Sequence, residues 1–534
     1  MKNTTLFLLF LFLGNLLSAQ VSRYWIQFTD KDNSTFSIDN PQEFLSEKSI
    51  KRRAKSGIPI SEQDLPVNAT YLEAISSLEG VAVHYSSKWL NAVSISSEDS
   101  TLLPTIMEFS FVQNAEQLKS IFKENSISNK WDQVKSNDAN SETSVQLSQI
   151  GLDQMHEFGF RGEGIDIAVF DSGFTLADAL PALSDIWSEN RVKGTFDLYD
   201  GDEWVFHHQH GTFVLSILAG NQDGQLTGSA PKANYYLFRT EVTDFENRLE
   251  EDNWVVAAER ADSMGIDIIN SSLGYSNFTD PTQSYTYADM NGTTTRISKA
   301  AQWASEKGIL VVCSAGNQGA GSWKYITAPA DAEGVLTVGA VNSEGEHAPF
   351  SSFGPTADGR LKPNVVAQGQ ATSYAALDSS IRTGNGTSFS APIISGAAAC
   401  LMQAHPDLSS FQVKQLIEES ARLYSTPNDS LGNGIPNLFK VHDLLSRWNI
   451  PQNELLLYPN PTRNELNVTM LLPEEKSPNV KIYNTLGQLV IESNEIICGK
   501  EFLNARIDVS QLAAGTYTLV VGASSRRFLK VTNN

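Results

Sequence analysis

Gly164-Ile165-Asp166-Ile167-Ala168-Val169-Phe170 runs directly into Asp171-Ser172-Gly173, and the reading of this stretch decides the fold. Apart from Asp166 the run is apolar on both faces of a strand. Such a strand needs cover on both sides, the habit of a parallel sheet held between two layers of helix. The Asp-Ser-Gly that follows leaves the strand at its carboxyl end, where open α/β sheets gather their functional groups. Working outward, residues 210–219 read as a helix, 233–239 as a strand and 255–264 as a helix. Residues 266–270, 309–313 and 335–338 read as strands, with a helix over 297–307 before the second of them. From about 146 to 445 the chain is therefore expected to be α/β, with a mostly parallel sheet and helices on both faces.

The rest of the chain is organised around that unit. At 534 residues it is too long for one ordinary domain. A formal net charge of −22 argues against nucleic acid or an anionic membrane as partner, because both need concentrated positive charge. Three cysteines, Cys313, Cys400 and Cys498, show no metal-ligand spacing and make no disulfide framework, although a Cys313–Cys400 contact stays open. Lys2, the apolar run 6–13 and Leu17-Ser18-Ala19 have the layout of a secretory signal, and the run is too short for a membrane anchor. Residues 20–140 read as a small α/β unit: strands at 24–28, 81–85 and 92–95, and helices at 41–55 and 71–78. Its basic cluster, Lys48, Lys51, Arg52, Arg53 and Lys55, reads as a solvated helix face. Residues 124–145 are polar and read as a linker. From about 455 short strands alternate with Gly and Asn turns, the pattern of a small antiparallel β-sandwich domain.

Several residues in the α/β unit carry chemistry. Asp171 at its strand end suits the orienting of an imidazole, or the capping of a turn. His210, opening a helix ahead of Gly211-Thr212, could accept a hydroxyl proton on one ring nitrogen while a carboxylate holds the other. His207, His208 and His210 also admit a metal reading. No zinc-peptidase spacing is present, however, and adjacent strand residues point opposite ways. Asn317, in Ser314-Ala315-Gly316-Asn317, could donate its amide to an oxyanion or simply turn the chain. Gly384-Asn385-Gly386-Thr387-Ser388-Phe389-Ser390-Ala391-Pro392 places Ser388 where a helix begins, among unsatisfied N–H groups that favour negative charge. Alone, the same stretch is as well read as a helix cap. Asn270-Ser271-Ser272-Leu273-Gly274 leaves a strand with small side chains, open to a peptide pairing as an added strand. The coincidence of all of these on one sheet is the strong signal.

Asp171-Ser172-Gly173, His210-Gly211-Thr212, Ser314 to Asn317 and Gly386 to Pro392 resemble the four signatures of the subtilisin-like serine peptidases. Gly228-Ser229-Ala230-Pro231 and Lys362 to Ala367 extend the likeness over nearly all of 146–400. The resemblance implies the Asp, His, Ser chain order known for that family. It implies that Asp171 orients, His210 is general base then acid, Ser388 attacks and Asn317 stabilises the oxyanion. It further implies that Ser272, Leu273, Gly274, Ser314, Ala315 and Gly316 line the substrate cleft and its main specificity pocket. No metal or cofactor is required for that chemistry. Structural calcium is left unassigned: the 220–228 loop, where many relatives hold it, has one carboxylate, Asp223, and hard cations prefer several oxygens. Gln368 stands where the family usually has Pro, and Asn364 where Asp is frequent. Residues 275–297, rich in Tyr, Asn and Thr, read as a surface insertion at the cleft rim.

The flanks resemble partners of the same machinery. The 20–140 unit, with Lys88-Trp89-Leu90-Asn91, resembles the inhibitory, fold-assisting propeptide of Bacteroidetes-type members. The tail, with Leu457-Tyr458-Pro459-Asn460-Pro461 and Ala514-Gly515-Thr516-Tyr517, resembles the sorting domain of the type IX (Por) secretion system. The expected order is signal peptide at 1–19, propeptide at 20–140, catalytic domain at 141–450 and sorting domain at 451–534. The expected product is a serine endopeptidase exported through the periplasm to the cell surface or medium. Its expected partners are peptide or protein substrates, its own propeptide as inhibitor and the type IX machinery, with no nucleic acid and no transmembrane anchor. Two rival readings are a catalytically inactive adhesion protein on this fold and an acid-active relative with a carboxylate base. The intact Asp, His, Asn and Ser set opposes the first, and Asn317 stands where the second expects Asp.

Overall fold

The computed structural model describes residues 22–99, 101–118, 137–138, 144–243 and 246–448. In the tail it describes 455–458, 462, 464–471, 479–493, 497–499 and 502–532. The signal expected at 1–19 and most of the linker expected at 124–145 lie outside these residues.

Seven parallel strands form the central sheet, in the order Val365–Gln368, Leu336–Val341, Leu310–Ser314, Ile268–Ser271, Asp166–Asp171, Asn234–Arg239, Val192–Asp197. The alternation along Asp166–Asp171 explains its unbroken apolar run. Ile167 and Val169 enter one core, beside Val214 and Leu215 of the His210–Ala219 helix and Ile393 and Ala397 of the Thr387–Ala404 helix. Ala168 and Phe170 enter the opposite core, beside Trp254 and Val255 of the Leu249–Met264 helix and Ala300 and Ala301 of the Arg296–Glu306 helix. Burial of each of the larger aliphatic and phenyl side chains among these contributes roughly 1.5–3 kcal/mol.

The Leu249–Met264 helix starts well before the expected 255. Glu250, Glu251 and Asp252 look like loop residues in sequence, yet a helix's first turn favours carboxylates. The Asn247 side chain accepts from the Leu249 N–H at 2.8 Å, which satisfies one of the free donors there. The stretch at 275–297 is a surface insertion only in part, exposed at Pro281, Thr282, Thr286 and Ala288. Tyr275, Phe278 and Met290 are buried in the second core.

The N-terminal unit is a four-stranded antiparallel sheet, ordered Val81–Ser87, Ala92–Ser97, Ser22–Phe28, Val112–Leu118. The expected 41–55 helix is broken into a short Pro41–Glu43 turn and a Glu47–Lys55 helix. Ser46 caps the latter, accepting from the Ser49 N–H at 3.1 Å. Lys51 is solvated as expected, but Lys48, Arg52 and Arg53 correct the expectation of a solvated face. Arg53, 1% exposed, forks onto Asp64 and onto Asp262 of the catalytic unit. Arg52 reaches the same Asp262 at 2.6 Å. Lys48 reaches Asp166 and Asp267, each at 2.6 Å. Lys307, from the catalytic side, closes the network on Asp64 at 2.7 Å. A second anchor is Glu259, which accepts from the Lys88 and Trp89 N–H groups at 2.8 and 3.0 Å and from the Ser87 hydroxyl.

The tail folds as two four-stranded antiparallel sheets around one core that includes Leu466, Val468, Ile482, Leu519 and Phe528. Cys313 and Cys400 are buried free thiols, so the contact left open between them is not a disulfide. No helix among the described residues is long and apolar enough to cross a membrane.

Candidate active site

Three carboxyl-terminal strand ends and two helix starts meet at one point. Asp171 closes its strand with no exposed surface, and its Oδ1 and Oδ2 lie 2.9 and 3.1 Å from His210 Nδ1. The Ser172 N–H donates to the same Oδ1 at 2.8 Å, which fixes the carboxylate's plane. His210 is the first residue of its helix, and its Nε2 is 3.1 Å from Ser388 Oγ. Ser388 is the second residue of the Thr387–Ala404 helix. Asp171, His210 and Ser388 thus form one chain of hydrogen bonds, with each group nine-tenths or more buried.

Asn317 lies on the other side of Ser388. Its Oδ1 accepts from the Thr387 N–H at 2.8 Å and from the Thr387 hydroxyl at 2.9 Å. The amide Nδ2 is thereby turned the other way. A Cβ on Gly386 would sit 2.8 Å from Ser388 Oγ and 3.6 Å from Asn317 Nδ2, so glycine keeps the space between that hydroxyl and that amide clear. That is where a reacting carbonyl must lie to meet both.

Ser272, Leu273 and Gly274 leave one strand beside Ser314, Ala315 and Gly316 leaving the next, in the register Ser271↔Cys313. Both lips are tied to the helix that carries Ser388. Pro392 has no N–H for the Ser388 carbonyl that a helix would otherwise pair with it, and Ser272 Oγ donates there at 3.0 Å instead. The Gly316 N–H donates to the Thr387 hydroxyl at 3.1 Å. The structure therefore brings all ten expected site residues to one cleft: Asp171, His210, Ser388, Asn317 and the two triplets. Thr387, which joins Asn317 to both the helix and Gly316, was not singled out from sequence, because a threonine beside a serine carries no separate signal.

The three neighbouring histidines do not converge on a common point. His208 Nδ1 bonds Ser172 Oγ at 2.9 Å, and burial, with His210 nearby, pushes its imidazole down to about 4. His207 Nε2 lies 3.3 Å from Asp197. Asp197, Asp200 and His207 come within reach of one another, but Arg239 bonds both carboxylates, at 2.5 and 2.6 Å. In the Asn221–Thr227 hairpin Asp223 is exposed and Asn221 donates its amide to Asp185. No metal is assigned to either place.

The parallel sheet and this cleft define the class, a serine endopeptidase. The chain belongs to the subtilase family, whose model matches residues 162–434. Residues 23–135 match the peptidase S8 propeptide domain of Bacteroidota, and 456–531 match a secretion system C-terminal sorting domain. Among relatives, it is 30% identical over 296 residues to subtilisin NAT of Bacillus subtilis subsp. natto, covering 55% of this chain and 69% of that one. It is equally 30% identical to subtilisin of Bacillus pumilus, covering 96% of that chain and 55% of this one. A solved structure, the MycP3 protease from the type VII (ESX-3) secretion system, is similar at 22% identity and a TM-score of 0.46, over 58% of this chain and 91% of that one.

Proposed function

We propose that this peptidase is made as a preproprotein, with a signal at 1–19, a propeptide at 20–140, a catalytic domain at 141–450 and a sorting domain at 451–534, and that it cuts peptide bonds through an acyl-enzyme on Ser388. His210 Nε2 takes the Ser388 Oγ proton as Oγ attacks the scissile carbonyl carbon. Asn317 Nδ2 and the Ser388 N–H hold the resulting oxyanion. His210 then hands its proton to the leaving nitrogen, and the carbon–nitrogen bond breaks. Water repeats the attack on the ester, His210 takes its proton, and Ser388 leaves with its hydroxyl restored. Asp171 keeps His210 in the tautomer that presents an acceptor to Ser388 and stabilises the imidazolium. No metal or cofactor enters any step.

The observation that carries this reading is the unbroken chain from Asp171 through His210 to Ser388, beside an amide turned toward the same space. The propeptide would act as inhibitor through the buried contacts at Glu259 and Asp262. The sorting-domain match supports export by the type IX machinery to the cell surface or medium. Ser388→Ala is expected to abolish turnover and, in zymogen purified alone, to leave the propeptide attached. Turnover by that variant would sink the mechanism, and normal processing of it would rule out self-cleavage.

A further inference from the structure

Between the two lips of the cleft stands a side chain to which neither motif nor spacing draws attention. The Thr327 N–H donates to the Ala315 carbonyl at 3.3 Å, and Ala328 exchanges backbone hydrogen bonds of 2.8 and 3.1 Å with Tyr275. Thr327 is thereby stitched to both strand ends. A Cβ on Gly274 would overlap its Oγ1, and one on Gly316 would lie 3.2 Å from it. Ser352 Oγ closes the same side, 2.9 Å from that Gly316 position. Two glycines facing across a slot ordinarily leave it open, but here a threonine occupies its base. Thr327 is 1% exposed, and its hydroxyl has no hydrogen-bond partner in the protein. Ser352 differs, since its Oγ accepts from the Gln318 N–H at 3.1 Å. A buried hydroxyl without a partner costs about 1–3 kcal/mol unless something entering the site supplies one.

We propose that Thr327 is the floor of the pocket for the side chain on the acyl side of the cut bond, and restricts it to small residues, alanine and serine above all. This rests on the Ser388 reading given above. A residue whose carbonyl lies between Ser388 Oγ and Asn317 has the Gly274 and Gly316 strand ends beside it, since both are bonded to the helix that carries Ser388, and in this reading its side chain enters between those glycines. A methyl or hydroxymethyl group fits above the Thr327 methyl and hydroxyl, and a serine side chain can meet the free Oγ1. A phenyl ring or a leucine must displace Thr327, which its backbone bonds hold in place.

The test uses mature wild-type protein and peptides that differ only in that residue: Ala, Ser, Leu and Phe. Ala and Ser are expected to exceed Phe in kcat/KM by at least about tenfold, the scale on which a tight pocket separates side chains by size. Thr327→Gly is expected to raise the Phe-to-Ala ratio by about tenfold or more, and Thr327→Ser to shift it less. A wild-type preference for Phe or Leu overturns the proposal, as does an unchanged ratio in Thr327→Gly. Fluorophosphonate labelling of the same samples separates the two levels. Failure of wild type to label overturns the Ser388 reading itself, whereas labelling with a large-residue preference overturns the pocket alone. Should Thr327→Gly fail to fold and so fail to label, the wild-type profile and Thr327→Ser decide.

Discussion

Thr387 shows how much of a catalytic site rests on residues that do no chemistry. Its hydroxyl donates to Asn317 Oδ1 and accepts from the Gly316 N–H, so one side chain orients the Asn317 amide and ties a wall of the cleft to it. Thr387→Val keeps the shape and removes both bonds. The expected result is a loss in kcat on the order of tenfold with little change in KM, since a misplaced donor weakens the transition state more than the ground state. Thr387→Ser should recover most of it, and a fall in affinity alone would contradict the positioning role. At this scale the sequence was informative where a motif residue carries reactive chemistry of its own. Asp171, His210, Asn317 and Ser388 could each be named in advance. Thr387 and Thr327 could not, because what they do depends on which atoms of distant segments lie beside them.

Among the elements, the Leu249–Met264 helix serves two masters. One side covers the central sheet through Trp254 and Val255, and the other holds the N-terminal unit through Glu259 and Asp262. The basic helix that meets it was misread for a physical reason. A row of Lys and Arg looks the same whether it faces water or carboxylates, and Arg53's partner Asp262 lies 209 residues away along the chain. Burial alone would raise the Asp262 carboxyl, but Lys88, Arg52 and Arg53 hold it below its ordinary 3.8. A carboxyl lowered in the complex contributes attraction that is complete above that value and lost only as pH falls through it. Glu259 is raised by burial, so its protonation does not favour release either. Mild acidification to pH 5 is therefore not expected to free the propeptide. Asp262→Asn removes the carboxylate shared by Lys88, Arg52 and buried Arg53, of which Arg53 keeps Asp64, and removing one partner of a buried pair costs about 3–5 kcal/mol. It should weaken inhibition by added propeptide about a hundredfold or more at pH 7. Equal inhibition of both proteins, or release of the wild type at pH 5, would count against this account of the interface.

Over the whole molecule, function divides along the hydrophobic cores. Two cores sandwich the central sheet, one lies inside the N-terminal unit, and the tail has its own, drawn from residues 455–528 alone. Removing 451–534 is accordingly expected to leave kcat/KM of the matured enzyme within about twofold while abolishing export. Loss of activity in the truncated enzyme would show that the tail supports the catalytic fold. The doubly covered sheet and the two-sheet tail were both readable in advance, because apolar runs and Gly-Asn turns are local signals. The strand at Val192–Asp197 was not, since Val-Lys-Gly-Thr-Phe-Asp lies at the sheet's edge and is only partly apolar. The central claim is that Ser388, activated by His210, is the nucleophile, and mass spectrometry after fluorophosphonate treatment at neutral pH tests it most directly. The mature protein should carry one adduct per chain, on the peptide containing Ser388, with labelling much slower in His210→Ala. An unlabelled protein, or an adduct on another serine, would contradict it.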